Sequence, residues 1–298
     1  MKEFELLKIA SEFFRDEDVE VPATMHDAAY VRFGKDFLVL TCDTVNEMCD
    51  FPPQMLPEEF GHLALAVTLS DLAACGANPL FFLNSITLRT PDTMLVRRIF
   101  RGMKKLAKRI GIKIVGGDID RSNVLSITGF AVGHTSKIIT RSGAKPGEKV
   151  YITDVTGKAE LSIRELKKGK GRNNIPFPDK VFCPEPRIQE GIEISKIAST
   201  LTDISDSLAI SLHNISKSSG VAIELDISKI NLDPLEKFVN KQEALNLFLY
   251  GGGDYELLFT AKESDIGFEI GEVTRGESVY LNINGRKQHI KFLGYSHF

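Results

Sequence analysis

The sequence predicts an α/β (α+β) protein of two domains. Strand-like and helix-like segments are mixed in each half of the chain, which is the pattern of folds that pack helices against sheets. The length of 298 residues fits one large or two medium domains. A turn-rich segment at residues 141–148 separates the two halves. We therefore predict one domain at residues 1–140 and a second at residues 141–298.

The first half contains helices and strands in alternation. Three segments have the apolar spacing of helices: residues 4–14, 58–75 and 92–110. Four apolar runs predict strands: residues 38–41, 81–88, 112–115 and 125–132. The first strand is predicted to end at Asp43, and the third leads into Gly116-Gly117-Asp118. The helix at residues 92–110 carries its basic residues outside and closes at Gly111.

The second half has the same mixed character. Four segments predict helices: residues 161–168, 186–198, 207–218 and 241–249. Three segments predict strands: residues 149–153, 221–225 and 255–260. Gly220 ends the third helix, and three consecutive glycines lead into the last strand.

Charge and composition exclude several function classes. The net charge of −3 gives no general electrostatic attraction to nucleic acid or to a membrane surface. The longest apolar stretch is interrupted by Asp71, Asn78 and Pro79, so no membrane span is predicted. The N-terminus lacks the features of a signal peptide, and the four cysteines show no CxxC or zinc spacing. Reduced thiols and a cytoplasmic location are therefore expected.

Six aspartates set among small residues are the candidate functional residues. They are Asp27, Asp43, Asp71, Asp118, Asp203 and Asp206. Small neighbours let backbone and ligand come close, and carboxylates are the hard oxygen ligands that Mg²⁺ prefers. Carboxylates from distant parts of one chain therefore predict a shared cation site whose ligand is a phosphate compound.

Asp71 is the strongest of these candidates. It is the only carboxylate in the alanine-rich stretch at residues 62–76. Small side chains on every face predict a helix that is packed on all sides. An unpaired carboxylate there would be strongly destabilising, so it must be neutralised, paired or bound to a metal ion. A buried salt bridge or a helix cap is the alternative to the metal.

Asp43, Asp203 and Asp206 are singled out by the predicted ends of secondary structure. Asp43 follows a strand, where ligand sites of α/β sheets often lie. Asp203, Ser205 and Asp206 precede a predicted helix, and any one of them could be merely an N-cap. Two carboxylates and a hydroxyl within four residues exceed what a cap requires. At that end of a helix they could hold a cation that bridges to phosphate.

Two further segments could contact phosphate. Gly116-Gly117-Asp118 lacks the lysine and the spacing of a P-loop, but two glycines after a strand would let backbone N–H groups reach phosphate oxygens. Arg141 could pair with a phosphate, whereas a solvated surface position is the simpler interpretation of Lys145.

Taken together, these segments resemble the thiamine-monophosphate kinases, which belong to the superfamily of aminoimidazole ribonucleotide synthetase. The similar stretches follow in order along nearly the whole chain: Asp27-Ala28-Ala29, Asp43-Thr44, residues 65–77, Gly116-Gly117-Asp118, residues 140–147, residues 203–208, residues 251–260 and residues 294–298. The resemblance implies a two-domain aminoimidazole ribonucleotide synthetase-like fold, with mixed sheets flanked by helices. It also implies an active site between the domains and a homodimer.

The resemblance further implies ATP-dependent phosphorylation of thiamine monophosphate to thiamine diphosphate, by direct in-line transfer with several Mg²⁺ ions. By position, the metal ligands would be Asp27, Thr41, Cys42, Asp43, Asp71, Asp118, Asp203 and Asp206. The ATP contacts would be Gly117, Asp118, Arg141 and Ser205, and the acceptor contacts Asp50, Gly253 and Tyr295. Because the attacking phosphate is already ionised, no catalytic residue is expected beyond those that position metal and phosphate.

The chain departs from the family pattern at four places. Met25-His26-Asp27 replaces Gly-Asp-Asp, and Ser207 stands where glycine is typical. Asp50 occupies a histidine position and Gly253 a glutamate position, and both are associated with the acceptor. The nucleotide and metal positions therefore match the family, whereas the acceptor positions are altered. Two alternatives remain open: an ATP-using enzyme of the same fold acting on another phosphomonoester, and a non-catalytic ATP-binding protein.

Overall fold

The computed structural model describes residues 19–296 together with Leu6, Ile9, Ala10 and Glu17. Most of the helix predicted at residues 4–14 lies outside the described residues, as do His297 and Phe298 at the other end. None of the helices that the structure describes combines the length and the apolar character that a membrane span needs.

The first half of the described chain forms a six-stranded sheet in the order β1-β2-β3-β6-β4-β5. Its strands are β1 (Val19–Val21), β2 (Ala29–Phe33), β3 (Asp36–Asn46), β4 (Asn78–Leu88), β5 (Lys113–Arg121) and β6 (Ser126–Thr135). Neighbouring strands are antiparallel, except for the parallel pair β4 and β5. Two long helices, α1 (Pro57–Ala74) and α2 (Thr93–Ile110), pack together on one face of this sheet.

Both long helices form where the sequence predicts them, and their ends explain why. Pro57 stands at the start of α1, where its missing N–H is not needed, and Glu59 accepts a hydrogen bond from the Leu56 N–H at 2.7 Å. Asp92 caps α2 by accepting from the Leu95 N–H at 2.9 Å. Gly111 ends α2 with a φ of 91°, a conformation that favours glycine.

Two strands of the first sheet continue further than the sequence predicts. β3 runs to Asn46, so Asp43 lies within the strand and not after it. β5 runs through Gly116-Gly117-Asp118, so these residues lie within the strand and not after it, where the sequence predicts them. The reason is cross-strand pairing, with Asp43 opposite Gly129 and Gly117 opposite Asn84. Pairing with a neighbouring strand outweighs local turn preference.

The second half of the described chain forms a seven-stranded sheet in the order β13-β12-β9-β11-β7-β10-β8. Its strands are β7 (Lys149–Ile152), β8 (Thr200–Ile204), β9 (Ala222–Asp226), β10 (Glu256–Ala261), β11 (Phe268–Thr274), β12 (Ser278–Ile283) and β13 (Arg286–His289). Its helices are α3 (Lys158–Lys167), α4 (Pro178–Phe182), α5 (Ile188–Ile197), α6 (Leu208–Ser219), α7 (Asp233–Glu236) and α8 (Lys241–Tyr250). The predicted helices and strands of this half are all present, with shifted ends.

One unpredicted strand of this sheet changes the interpretation of the site. β8 contains Asp203, which therefore projects from a buried edge strand and not from the start of a helix. The following helix, α6, is capped by Ser207, whose hydroxyl accepts from the Ile210 N–H at 3.1 Å. Ser207 thus takes the capping role that the sequence left open for Asp203, Ser205 and Asp206.

Helix α1 lies between the two sheets. Residues on all of its faces are buried, as the small side chains predicted. It packs on β3 and β6 of the first sheet and on β8 and α5 of the second half. Gly191 of α5 comes so close that a Cβ there would lie 2.2 Å from the carbonyl oxygen of Ala73. This helix brings Asp71 to the junction of the two halves, while the domain boundary at residue 140 stays a prediction.

Candidate active site

Three aspartates from different elements meet at this junction. Asp71 of α1 lies beside Asp43 of β3, close enough for each carboxyl group to affect the pKa of the other. The Thr41 hydroxyl donates a hydrogen bond to Asp71. Asp203 of β8 accepts from the Ser70 hydroxyl at 2.7 Å. We call Asp43, Asp71 and Asp203 the carboxylate cluster.

The electrostatics of the carboxylate cluster are unfavourable without a cation. Burial, followed by the charges of Asp43 and Asp203, raises the pKa of Asp71 well above its usual range. Burial and the charge of Asp27 raise the pKa of Asp203 to about 8. Grouped carboxylates in a low-dielectric site are stabilised by a bound cation, and their hard oxygen donors are of the kind that Mg²⁺ takes. The donor set therefore fits the predicted metal.

Asp27 differs from the cluster because it already has a cationic partner. The Arg141 guanidinium forms an ion pair with it, and the Thr202 hydroxyl donates to it at 2.8 Å. Burial, the largest single effect, would raise the pKa of Asp27, but Arg141, His26 and the Thr202 hydroxyl together outweigh it and the pKa is lowered. Arg141, which the sequence predicts to contact ATP, is thus paired with a predicted metal ligand.

Within residues 19–296 and the few described residues before them, no three His, Cys, Asp or Glu side chains are already arranged as ligands of one metal ion. Asp27, Asp71 and Asp203 each accept a hydrogen bond from a protein hydroxyl, which leaves other lone pairs of each carboxylate for a cation. The predicted metal roles therefore rest on the chemistry of the donors and stay predictions.

A cleft of about 1130 Å³ opens over the carboxylate cluster. Its lining includes all three members of the cluster. The same cleft is lined by five other predicted site residues: Asp50, Ser205, Asp206, Gly253 and Tyr295. The structure thus brings four of the predicted metal residues (Asp43, Asp71, Asp203 and Asp206) and the three predicted acceptor residues into one cleft.

The acceptor side of the cleft is held by backbone contacts. Asp50 accepts from the Asn46 N–H at 2.8 Å, just beyond the end of β3. The Gly253 N–H donates to the Ser205 carbonyl at 2.7 Å, and the Tyr295 N–H donates to the Asp206 carbonyl at 3.0 Å. Gly253 has a φ of 82°, which a glutamate would adopt only with strain. The departure from the family at this position is therefore compatible with the local backbone.

Six predicted site residues do not line the cleft. Three of them lie beside the carboxylate cluster, namely Asp27, Thr41 and Arg141, and the other three lie farther away. The exposed Cys42 side chain points to the opposite face of β3 from Thr41 and Asp43. Gly117 is in register with Asp43 but three strands away, at about 14 Å. Asp118 follows Gly117 and is in register with Thr44. Its side chain therefore lies on the same face of the sheet as Thr44 and Cys42, opposite to Asp43. Gly117 and Asp118 line a second cavity of about 740 Å³ beside α2.

Some residues that shape the site were not predicted. Ser70 and Thr202 orient Asp203 and Asp27 through their hydroxyls, and each stands next to an aspartate in the sequence. His26 is buried beside Asp27, with its Nδ1 3.3 Å from an Asp27 oxygen. Ser70 and Thr202 could have been predicted from the sequence, because each is a small hydroxylated residue directly before a candidate aspartate ligand.

Comparison with known proteins decides the family. Residues 25–135 match the family described as AIR synthase related protein, N-terminal domain. Thiamine-monophosphate kinase of Archaeoglobus fulgidus is 54% identical over 299 residues, covering 100% of this chain and 98% of that protein. The chain belongs to the thiamine-monophosphate kinase family. The family member of Pyrococcus horikoshii is 34% identical, over 100% of this chain and 96% of its own.

A solved structure of the same family supports the fold. AaThiL complexed with AMPPCP and TMP has a TM-score of 0.88 and 29% identity, covering 100% of this chain and 98% of its own. The predicted membership of the thiamine-monophosphate kinase family and the predicted aminoimidazole ribonucleotide synthetase-like fold are thereby confirmed.

Proposed function

We propose that this chain transfers the γ-phosphate of ATP to the phosphate of thiamine monophosphate, giving thiamine diphosphate and ADP. Membership of the thiamine-monophosphate kinase family along the whole chain supports this proposal. The observation that carries it is one cleft lined both by the carboxylate cluster and by Asp50 and Tyr295. A solved member of the family, AaThiL, binds AMPPCP and TMP together.

The side chains divide into two groups in this reaction. Asp27 and the carboxylate cluster, with Asp206 beside them, would hold Mg²⁺, whose positive charge offsets the repulsion between the two phosphate groups. The hydroxyls of Thr41 and Ser70 fix the orientation of Asp71 and Asp203. No protein base is needed, since the attacking phosphate oxygen is already ionised.

Mg²⁺ is expected to stabilise the protein. A cation that binds the folded chain at a hundred times its Kd adds about 2.7 kcal/mol to the free energy of unfolding. We expect the melting temperature to rise by several degrees on addition of Mg²⁺ without nucleotide, measured by calorimetry. The Asp71→Asn variant should show a smaller rise, because one ligand is lost. An equal rise in both proteins would place the bound cation elsewhere.

Asp50 is expected to contribute to binding of the cationic acceptor. Its carboxylate lines the cleft, and a thiazolium ring is positively charged. Asp50→Asn keeps an oxygen for the Asn46 N–H but removes the charge, so the loop should keep its shape. We expect the KM for thiamine monophosphate to rise about tenfold, the equivalent of roughly 1.4 kcal/mol, with the KM for ATP unchanged.

Asp50→Ala serves as the comparison, because it removes both the charge and the hydrogen bond to the loop. If the charge matters, both variants raise the KM for thiamine monophosphate. If only Asp50→Ala does so, the residue orders the loop and does not attract the acceptor.

The choice of acceptor is tested by comparing kcat/KM for several compounds. Thiamine monophosphate, thiamine and a set of other phosphomonoesters are each supplied with ATP and Mg²⁺. The proposal expects thiamine monophosphate to be preferred by orders of magnitude. Preference for another phosphomonoester would favour the alternative enzyme of the same fold, and ATP binding without transfer to any acceptor would favour the non-catalytic protein.

We also propose that the chain acts as a homodimer that packs through the outer face of the first sheet. In the part of the chain that the structure describes, α1 and α2 cover the inner face and no helix packs on the outer one. Apolar side chains on the outer face are exposed, among them Leu40 at 36% and Phe130 at 43%. Exposed apolar groups on one sheet face suit an interface with a second copy.

The position of Asp118 supports this dimer. Asp118 lies on the outer face, away from the carboxylate cluster of its own chain. β2 pairs only with the first part of β3, as far as Leu40. On the side of β3 that faces β2, residues 41–46 therefore have no neighbouring strand among the described residues. A carboxylate from a second copy can approach the site at this edge. We therefore propose that Asp118 completes the site of the other protomer.

A further inference from the structure

Tyr255, at the entrance to β10, has an unusual backbone conformation. Its φ is +53°, in the left-handed region. The only other non-glycine residue with a positive φ among the described residues is Asn284, which lies in the turn between β12 and β13, where asparagine is favoured. A tyrosine in this conformation is strained, so the surrounding structure must hold it there.

The residue before Tyr255 is fixed by the start of α3. Asp254 is 1% exposed, and its carboxylate accepts from the Gly157 N–H and, at 3.0 Å, from the Ala159 N–H. These are N–H groups of the first turn of a helix, which have no partner within the helix. Asp254 thus caps α3 and cannot turn toward the cleft without exposing those donors.

The residue after Tyr255 is fixed by two cations. Glu256 is fully buried, and it accepts from Arg187 through two hydrogen bonds of 2.8 and 2.9 Å. It also pairs with Lys180 and accepts from the Thr153 hydroxyl. A buried carboxylate with this many partners is strongly destabilised by rotation away from them. We call Asp254 and Glu256 the backbone clamp of Tyr255.

The backbone clamp presents the Tyr255 side chain to the cleft. The ring packs against the apolar core of the first half, and the residue lines the cleft over the carboxylate cluster. The hydroxyl lies within electrostatic reach of four aspartates that line the same cleft: Asp43, Asp50, Asp203 and Asp206. A tyrosine hydroxyl has an ordinary pKa of about 10, so it keeps its proton at neutral pH and can donate a hydrogen bond.

A protonated hydroxyl has a defined use at this position. Ionised carboxylates only accept hydrogen bonds, and so does a phosphate group. Lys180 lines the same cleft but is held by Glu256. Arg164 and Lys167 also line the cleft. A phosphate that enters beside the carboxylate cluster and Asp50 can accept a further hydrogen bond from the Tyr255 hydroxyl, which is a neutral donor.

We propose that Tyr255 is a catalytic residue whose hydroxyl donates a hydrogen bond to the acceptor phosphate, and that the backbone clamp exists to hold it in that position. This inference rests on the proposed function, because it takes the acceptor to be a phosphomonoester. The Tyr255 hydroxyl would then be a neutral hydrogen-bond donor beside the carboxylates that are proposed to hold metal.

Tyr255→Phe tests the hydroxyl. The ring and its packing are kept, so the melting temperature should stay within about 2 °C of the wild type. Loss of one hydrogen bond to a charged phosphate should lower kcat by about 10- to 100-fold, with the KM for ATP unchanged. Tyr280→Phe on β12 is the matched control and should behave as the wild type. If Tyr255→Phe and Tyr280→Phe have the same kcat, the inference is wrong.

The design separates this inference from the proposed function. If the wild type does not phosphorylate thiamine monophosphate, the proposed function fails, whatever the variants do. If the wild type does so and Tyr255→Phe is unaffected, only the inference fails.

Asp254→Asn tests the backbone clamp without touching the cleft. Asparagine keeps an acceptor oxygen for one of the two N–H groups and loses the other contact. The kcat of Asp254→Asn should fall, as that of Tyr255→Phe does. The kcat of the double variant should be little lower than that of Tyr255→Phe alone, because both substitutions act through one hydroxyl. Independent, multiplicative losses would overturn the role given to the clamp.

Discussion

Asp71→Asn is expected to abolish phosphoryl transfer and leave the protein folded. Asp71 is the member of the carboxylate cluster that contacts both Thr41 and Asp43, on the helix that joins the two sheets. Removing its charge should cost at least about 1000-fold in kcat, because the positive charge that offsets phosphate repulsion is then poorly held.

The same substitution should not lower stability in the absence of Mg²⁺. Asp43 and Asp203 repel an ionised Asp71, so a neutral amide of the same shape relieves the cluster. The measurements are steady-state kcat and the melting temperature without metal. Asp92→Asn is the matched control, since Asp92 is an exposed helix cap and asparagine caps a helix equally well. Near-normal kcat in Asp71→Asn would show that the metal assignment is wrong.

Mixed dimers are expected to recover activity from two inactive variants. If Asp118 serves the site of the other protomer, Asp71→Asn and Asp118→Asn each inactivate their own homodimers. In a mixed dimer one site receives both substitutions and the other receives neither. Random mixing makes half of the dimers mixed, so about a quarter of the wild-type activity should return.

The experiment requires that the two variants be unfolded and refolded together, or expressed together, and then assayed against the separate homodimers. A double variant carrying both substitutions, mixed with the wild type, is the control for subunit exchange. If Asp118 acted within its own chain, every site in a mixed dimer would carry one defect, and no activity would return.

The long helices of this fold could be predicted because their signals are local. The apolar spacing, the cap at Asp92 and the glycine stop at Gly111 all lie within the helix or next to it. The packing of α1 on all sides also followed from its small residues. Such features need no knowledge of what the helix packs against.

The strands that carry the site were harder to predict, because their ends depend on distant partners. Asp43 and Gly117 lie inside strands, since Gly129 and Asn84 pair with them from elsewhere in the chain. β8 was missed because Thr200–Ile204 is short and includes a charged residue. Its pairing with β10 fixes it in the sheet.

In the site, too, local features could be predicted from the sequence and contacts between distant residues could not. The aspartates could be found from residue type and neighbours, and Asp43, Asp71 and Asp203 do meet in the structure. The pairing of Arg141 with Asp27 could not, because it joins residues over a hundred positions apart. The conformation of Tyr255 could not either, since it is imposed by contacts of Asp254 and Glu256 with α3, Lys180 and Arg187.

The central claim is tested most directly by following the transferred phosphate. The purified protein is incubated with Mg²⁺, thiamine monophosphate and ATP labelled in its γ-phosphate, and the products are separated. The proposed function predicts label in the terminal phosphate of thiamine diphosphate, with one ADP formed for each thiamine diphosphate. Label that remains in ATP, or that appears only as free phosphate while thiamine monophosphate is unchanged, would contradict it.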